Sequence, residues 1–267
     1  MTLPAAFITG GSSGIGLELA KQLAVIGHPI AIFARDTVKL NAAVDVILAH
    51  HPSANVAIFP VDVSDSTACK AAVASAIAQL GTPGWAIANA GIAEPGTFLD
   101  QGIKVHETHM RINYMGALYF AHAVAEPMSR TGGKLVFVAS GAAFFGIYGY
   151  SAYTASKFAM RGLAEVLRVE LAPLGISVTL AYPPDTDTPM LAAEARTKPD
   201  ITKTITAGGG VHSASDVAAH IIARARKGKF TAAPGRQMKA LLVFHSLIGP
   251  ALRYWQKRLI QKQKNRR

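Results

Sequence analysis

The stretch Ala5-Ala6-Phe7-Ile8-Thr9-Gly10-Gly11-Ser12-Ser13-Gly14-Ile15-Gly16 decides the fold. A strand-like run over 5–9 enters a glycine-rich turn, and the turn opens a helical pattern over 14–27. A parallel α/β fold places phosphates at such a turn: glycines let the backbone approach closely, and the helix N-terminus offers free N–H groups and the positive end of its dipole. The glycine spacing is G-x-x-x-G-x-G rather than G-x-G-x-x-G. A tight turn with nothing bound has the same composition, but the flanking strand and helix are the context that a phosphate site requires. Gly10, Ser12, Ser13, Gly14, Ile15 and Gly16 are the expected contacts.

Outward from this turn, short β-rich runs alternate with helical stretches. Strands are expected at 5–9, 29–34, 55–60, 85–89, 134–140 and 176–182, with a weaker one near 229–232. Helical patterns lie at 14–27, 38–50, 66–80, 105–128, 152–172 and 214–227, the last opened by a capping box, Ser213-Ala214-Ser215-Asp216. Continuous apolar strands between helices predict an α/β fold: a doubly wound, Rossmann-like parallel sheet covered on both faces. At 267 residues, half of them hydrophobic and 16% charged, the chain suits one large globular domain. That domain is placed at 1–235, with a C-terminal extension at 236–267. Cys69 is the lone cysteine, which excludes an internal disulfide and fits a reducing compartment. The start runs directly into a strand without the pattern of a secretory signal, so a cytoplasmic location is expected.

The nucleotide is chosen at the end of the second strand, where an acid grips a ribose 2′-hydroxyl and an arginine a 2′-phosphate. The strand ends Phe33-Ala34-Arg35-Asp36. Ala34 has no carboxylate and Arg35 has a planar charged fork, so NADPH is expected over NADH. Asp36 is at least as well suited to capping the next helix as to touching a cofactor.

Tyr153 and Lys157, four apart on a predicted helix, share a face. A solvated helix face has the same residues, and only the rest of the chain raises the pair above it. A phenol titrates near ~10, and a neighbouring ammonium is expected to lower that value toward neutrality. Ser140, closing the strand-like Leu135-Val136-Phe137-Val138-Ala139, is placed to hold a carbonyl or alcohol oxygen near the phenol.

Together with Asn89-Ala90-Gly91 and Asn113 of an Asn-x-x-Gly segment, these motifs make the chain resemble the short-chain dehydrogenase/reductase family from residue 5 to about 232. The resemblance implies that Asp62 and Val63 flank the adenine and that Asn89 steadies the sheet and cofactor pocket. It also implies that Lys157 holds the nicotinamide ribose, and that Asn113 anchors a water passing protons to Lys157. Thr186 and Thr188 lie where the family contacts the carboxamide and phosphates. Pro184 stands where the family has glycine, removing a backbone donor and stiffening the turn.

That departure is itself informative. Tyr182-Pro183-Pro184-Asp185-Thr186-Asp187-Thr188-Pro189, followed by Glu194-Ala195-Arg196-Thr197-Lys198-Pro199, resembles the 3-ketodihydrosphingosine reductases. The implied reaction is NADPH-dependent reduction of a long-chain ketone lipid, 3-ketosphinganine, with Tyr153 as general acid, Ser140 as oxygen anchor and Lys157 tuning the phenol. The alternatives are a reductase of another lipid, steroid or polyketide ketone, and a non-catalytic NADPH-sensing protein. The stretch 189–211 is expected to be a mobile lid.

The net charge of +11 is uneven, because residues 253–267 hold seven Lys or Arg and no acid. Phe244, Leu247, Ile248, Ala251, Leu252, Trp255 and Leu259 recur at helical spacing among these and other basic residues. This predicts a helix, kinked at Pro250, lying in a membrane interface rather than spanning it, since the apolar run falls short of the ~20 residues a spanning helix needs. An oligomer interface with a solvated tail is the alternative. No recognised module accompanies the basic run, so nucleic acid is not an expected partner. No metal site is expected, although His106 and His109 stand three apart. The helices near 105–128 and 152–172 suggest a homodimer or homotetramer by fold-level analogy.

Overall fold

The computed structural model describes residues 3–264. The first two residues, the last three, and the Lys264 side chain lie outside that description, and with them Arg266 and Arg267 of the basic tail. Seven strands, β1 (Ala5–Thr9), β2 (Ile30–Ala34), β3 (Val56–Pro60), β4 (Pro83–Ala88), β5 (Gly133–Val138), β6 (Ile176–Ala181) and β7 (Thr231–Ala232), form one parallel sheet in the order β3-β2-β1-β4-β5-β6-β7. The strand order reverses between β1 and β4, and ligands bind outside the carboxyl ends of the strands at such a switch point.

Alternation along each strand builds two cores. Ala5 and Phe7 of β1 face one core, packed by α3 (Ser66–Leu80), α5 (Gly116–Met128) and α6 (Ser151–Glu170) through residues such as Val73, Phe120 and Met160. Ala6 and Ile8 face the other, packed by α1 (Gly14–Ile26), α2 (Thr37–His50) and α9 (Ala214–Arg226) through Leu19, Leu40 and Ile221. Successive strand residues point to opposite faces, so a strand buried on both sides is apolar throughout. The doubly wound sheet is therefore present as expected. The capping box at the start of α9 forms too, with Asp216 N–H donating to Ser213 Oγ at 3.0 Å.

One segment is divided where the sequence predicts a single helix, and two others gain detail. The pattern over 105–128 is divided into α4 (Ile103–His109), a π-helical turn (Met110–Met115) and α5. The turn contains Asn113, fully buried, whose side chain is held by both backbone groups of Ile92. The lid region contains α7 (Pro189–Glu194) and α8 (Asp200–Thr206). The C-terminal segment is one helix, α10 (Gly235–Lys264), continuous across Pro250, where one i→i−4 bond is lost. Its first turns belong to the body: Met238 sits in the core, with Leu241 and Leu242 packed on it.

Candidate active site

Two adjoining cavities open at the switch point. The first, about 290 Å³, is lined by the β1–α1 turn, the end of β2, and Asp62, Val63 and Asn89. Gly10 and Gly14 adopt φ of 64° and 53°, and a Cβ on Gly14 would lie 2.9 Å from Thr188 Cγ2. Gly16 does not line the cavity. A Cβ there would stand 2.2 Å from the Gly10 carbonyl, so its role is to let α1 pack against the turn. Ser13 precedes α1 without a side-chain cap, whereas Asp36, Asp65 and Ser213 all cap their helices. The N–H groups at the start of α1 are thus left for an anion.

Arg35 lies on this cavity, and so does Lys39, one turn into α2. Sequence reasoning missed Lys39; its place four residues after Arg35, in the first turn of the helix that Asp36 caps, was the available signal. Asp36 is consumed in capping, accepting from the N–H groups of Val38 and Lys39 at 3.0 and 3.1 Å. The uncapped N–H groups, with Arg35 and Lys39, fit a phosphorylated dinucleotide, while Asp36 and Asp62 line the same cavity and Lys39 Nζ stands 3.8 Å from Asp36 Oδ2. Burial raises the Asp62 pKa, but hydrogen bonds from Ser64 and the charges of Arg35 and Arg111 outweigh it and hold the carboxyl below its ordinary value. Asn89 Nδ2 donates to the carbonyls of Thr9 and Gly10 at 3.1 and 3.2 Å, fastening β4 to the turn.

The second cavity, about 180 Å³, gathers Ser140 from the end of β5 with Tyr153 and Lys157 from α6. It shares Ile15, Asn89, Gly91, Thr188 and Met190 with the first. Asn113 Nδ2 donates to Ser156 Oγ at 2.9 Å, which donates to the Tyr153 carbonyl at 2.7 Å, so Asn113 fastens the start of α6. A Cβ on Gly91 would lie 3.1 Å from Asn113 Oδ1 and 3.6 Å from Lys157 Nζ, so both groups border that glycine.

The expected tuning of Tyr153 by Lys157 needs correction. Lys157 Nζ donates to the Val138 carbonyl at 3.0 Å and stands 5.6 Å from the centroid of the Tyr153 ring. The phenol is raised above its ordinary value by burial and then by the charge of Glu194. The Ser140 side chain acts in the lowering direction, and Asp185 adds to the rise. Burial lowers the Lys157 ammonium to about 8. The protein's own groups therefore hold Tyr153 protonated, as a proton donor must be.

Thr186 and Thr188 line the cavity, but their hydroxyls donate to the carbonyls of Pro184 and Thr186 at 2.8 and 3.1 Å. They hold the stiff turn that Pro184 begins. Both ring nitrogens of His109 are engaged by backbone, Nδ1 with the Val105 carbonyl and Nε2 with the Glu94 N–H. His109 packs edge-on to Tyr153 at 6.4 Å between centroids.

Sequence reasoning also missed Tyr150, whose hydroxyl donates to Glu194 Oε2 at 2.6 Å, and the pairing of Lys198 with Glu194 and Asp185. The rest of the wall is largely apolar: Phe145, Ile147, Leu191, Ile205, Met238 and Leu241. No signal in the sequence brings α10 to this wall.

The short chain dehydrogenase family model matches residues 4–199. A 3-dehydrosphinganine reductase of Danio rerio is 39% identical over 232 residues, covering 85% of this chain and 70% of that protein. A 3-ketodihydrosphingosine reductase of Bos taurus is 39% identical over 241 residues, covering 88% and 73%. A crystal structure of levodione reductase superposes with a TM-score of 0.78 at 25% identity, covering 83% of this chain and 90% of that one.

Proposed function

The chain belongs to the short chain dehydrogenase family, and from that premise we propose that it reduces 3-ketosphinganine to sphinganine with NADPH. The observation that carries this reading is the convergence of Ser140, Tyr153 and Lys157 on a largely apolar cavity continuous with a phosphate-binding one. Relatives named for this reaction, with 39% identity over most of the chain, support the substrate.

Bound NADPH supplies the hydride. Gly10, Ser12, Ser13, Gly14 and Ile15 would cradle its phosphates, Arg35 and Lys39 would meet the 2′-phosphate, and Asp62 and Val63 would border the adenine, all of them lining one cavity. Ser140 Oγ holds the ketone oxygen, and Tyr153 donates the proton that completes the alcohol. Lys157, its ammonium held at the Val138 carbonyl 5.6 Å from the centroid of the Tyr153 ring, would bind the ribose. The apolar wall receives the first part of the alkyl chain. NADPH oxidation with 3-ketosphinganine in mixed micelles, with sphinganine followed by mass spectrometry, tests the reading. Product with NADPH and far less with NADH is expected; NADPH binding without product refutes the substrate.

Membrane docking rests on α10. Among the described residues no helix is long and apolar enough to cross a membrane. Yet Val243, Phe244, Leu247, Tyr254 and Trp255 are exposed on α10, while Met238 and Leu241 of the same helix face the body. This supports a peripheral protein that takes its lipid from a membrane surface, at the cytoplasmic face, with the basic residues of α10 toward anionic headgroups. Leu247→Asp with Trp255→Asp should abolish flotation with anionic liposomes while NADPH still binds; undiminished flotation refutes the docking face. Exposed Phe158, Val166 and Val169 on α6 support a homodimer or homotetramer, tested by light scattering of Val169→Glu against the parent protein.

A further inference from the structure

The charged residues that follow β6, in the segment marked out by its unusual sequence, gather at the catalytic cavity. Glu194, only 9% exposed, lines that cavity together with Asp185 and Tyr150. Tyr150 donates to Glu194 Oε2 at 2.6 Å. Lys198, equally buried, lies 3.6 Å from Glu194 Oε2 and 3.8 Å from Asp185 Oδ2. One lysine thus serves two carboxylates, leaving one negative charge in excess when all are ionised. Lys157 lines the same cavity, but its ammonium is held at the Val138 carbonyl and 5.6 Å from the centroid of the Tyr153 ring, and Lys198 is the cation within ion-pair distance of the two carboxylates. A buried carboxylate without a full counter-charge is costly, and the cost is recovered by a cation that enters the site.

We propose that Glu194 is a specificity-determining residue that receives the ammonium group next to the reacting ketone, with Tyr150 fixing the carboxylate and Lys198 shared between Glu194 and Asp185. The assignment rests on the functional reading above, in which the substrate is an amino ketone. The rings of Tyr150 and Tyr153 are 5.7 Å apart, and the Glu194 charge acts on the Tyr153 phenol, so Glu194 and Tyr153 serve the same part of the cavity. A bound ammonium also offsets the carboxylate charges that oppose ionisation of Tyr153. The amine of the substrate therefore contributes to proton transfer as well as to binding.

The test uses the full chain in mixed micelles of a neutral detergent. Two ketones are compared: 3-ketosphinganine, and the same long-chain hydroxyketone with hydrogen in place of the amine. For the parent protein kcat/KM should favour the amine by about 10- to 100-fold, the weight of one charge-assisted hydrogen bond. Glu194→Gln keeps an acceptor for the Tyr150 hydroxyl and removes the charge, so the ratio should collapse toward unity. An equal loss on both ketones, with the ratio preserved, would mean that Glu194 is structural and overturns the assignment. A ratio near unity in the parent protein overturns it without any variant. A parent protein that binds NADPH but reduces neither ketone refutes the functional reading itself, and the assignment with it.

Discussion

Replacing Gln256 with alanine should loosen the C-terminal helix while leaving the nucleotide cavity intact. Gln256 is buried on α10, with Oε1 accepting from Tyr148 N–H at 3.0 Å and Nε2 donating to the Gly146 carbonyl at 3.1 Å. Alanine removes both bonds. Gly146 is exposed and Tyr148 half-buried, so water replaces part of what is lost and the cost falls near the low end of the ~1–3 kcal/mol per orphaned group. A total of ~2 kcal/mol corresponds to about a 30-fold shift in the local opening equilibrium. Hydrogen exchange should therefore quicken by about that factor in residues 146–148 and in α10 beyond Pro250. Because Ile147 lines the catalytic cavity, kcat/KM for the lipid should fall while NADPH affinity holds. Gln256→Glu keeps the acceptor for Tyr148 but sets a carboxylate against the Gly146 carbonyl, so it should not rescue. Unchanged exchange in Gln256→Ala would refute the clamp and assign α10 docking to the apolar contacts of Met238 and its neighbours.

Tyr153→Phe should lower turnover by at least about 100-fold, the smaller end of what a general acid contributes, with NADPH affinity by fluorescence titration preserved. Arg35→Ser combined with Lys39→Ser should weaken NADPH by about 10- to 100-fold and leave NADH nearly unchanged, as measured by the two dissociation constants. Lys157 is depressed from 10.5 to about 8 by burial, so between those values the unfolded chain binds more protons and stability rises with pH across that window. At pH 7 the buried charge is a cost on the order of 3 kcal/mol. Lys157→Met should therefore raise the melting temperature at pH 7 despite losing the bond to Val138, and its advantage should shrink as pH climbs from 8 to 10. A variant that melts lower at pH 7 would show that the ammonium is stabilised where it lies.

Much of the molecule is legible without coordinates because its signals are local. Strand runs such as Ala5–Thr9 are apolar on both faces, helix starts carry their caps at Asp36 and Ser213, and the glycine turn is spelled out in consecutive residues. Tyr153 and Lys157 are legible as a pair for the same reason, since they share a helix face. The division of the 105–128 helix is less so, because a π-helical turn depends on the bonds of one buried side chain, Asn113, to a loop 21 residues away.

The sequence by itself determined the parallel sheet through its periodicity; the expectation of NADPH came from Arg35 at the end of the second strand, and the catalytic residue types came from the resemblance to a known family. Only the tertiary structure decided the direction of the Lys157 ammonium, toward Val138 19 residues earlier. It alone joined Tyr150 to Glu194 44 residues later, and Gln256 to a loop more than 100 residues earlier. Those pairings arise when packing closes the cavity, and local spacing carries no record of which distant groups will be enclosed together.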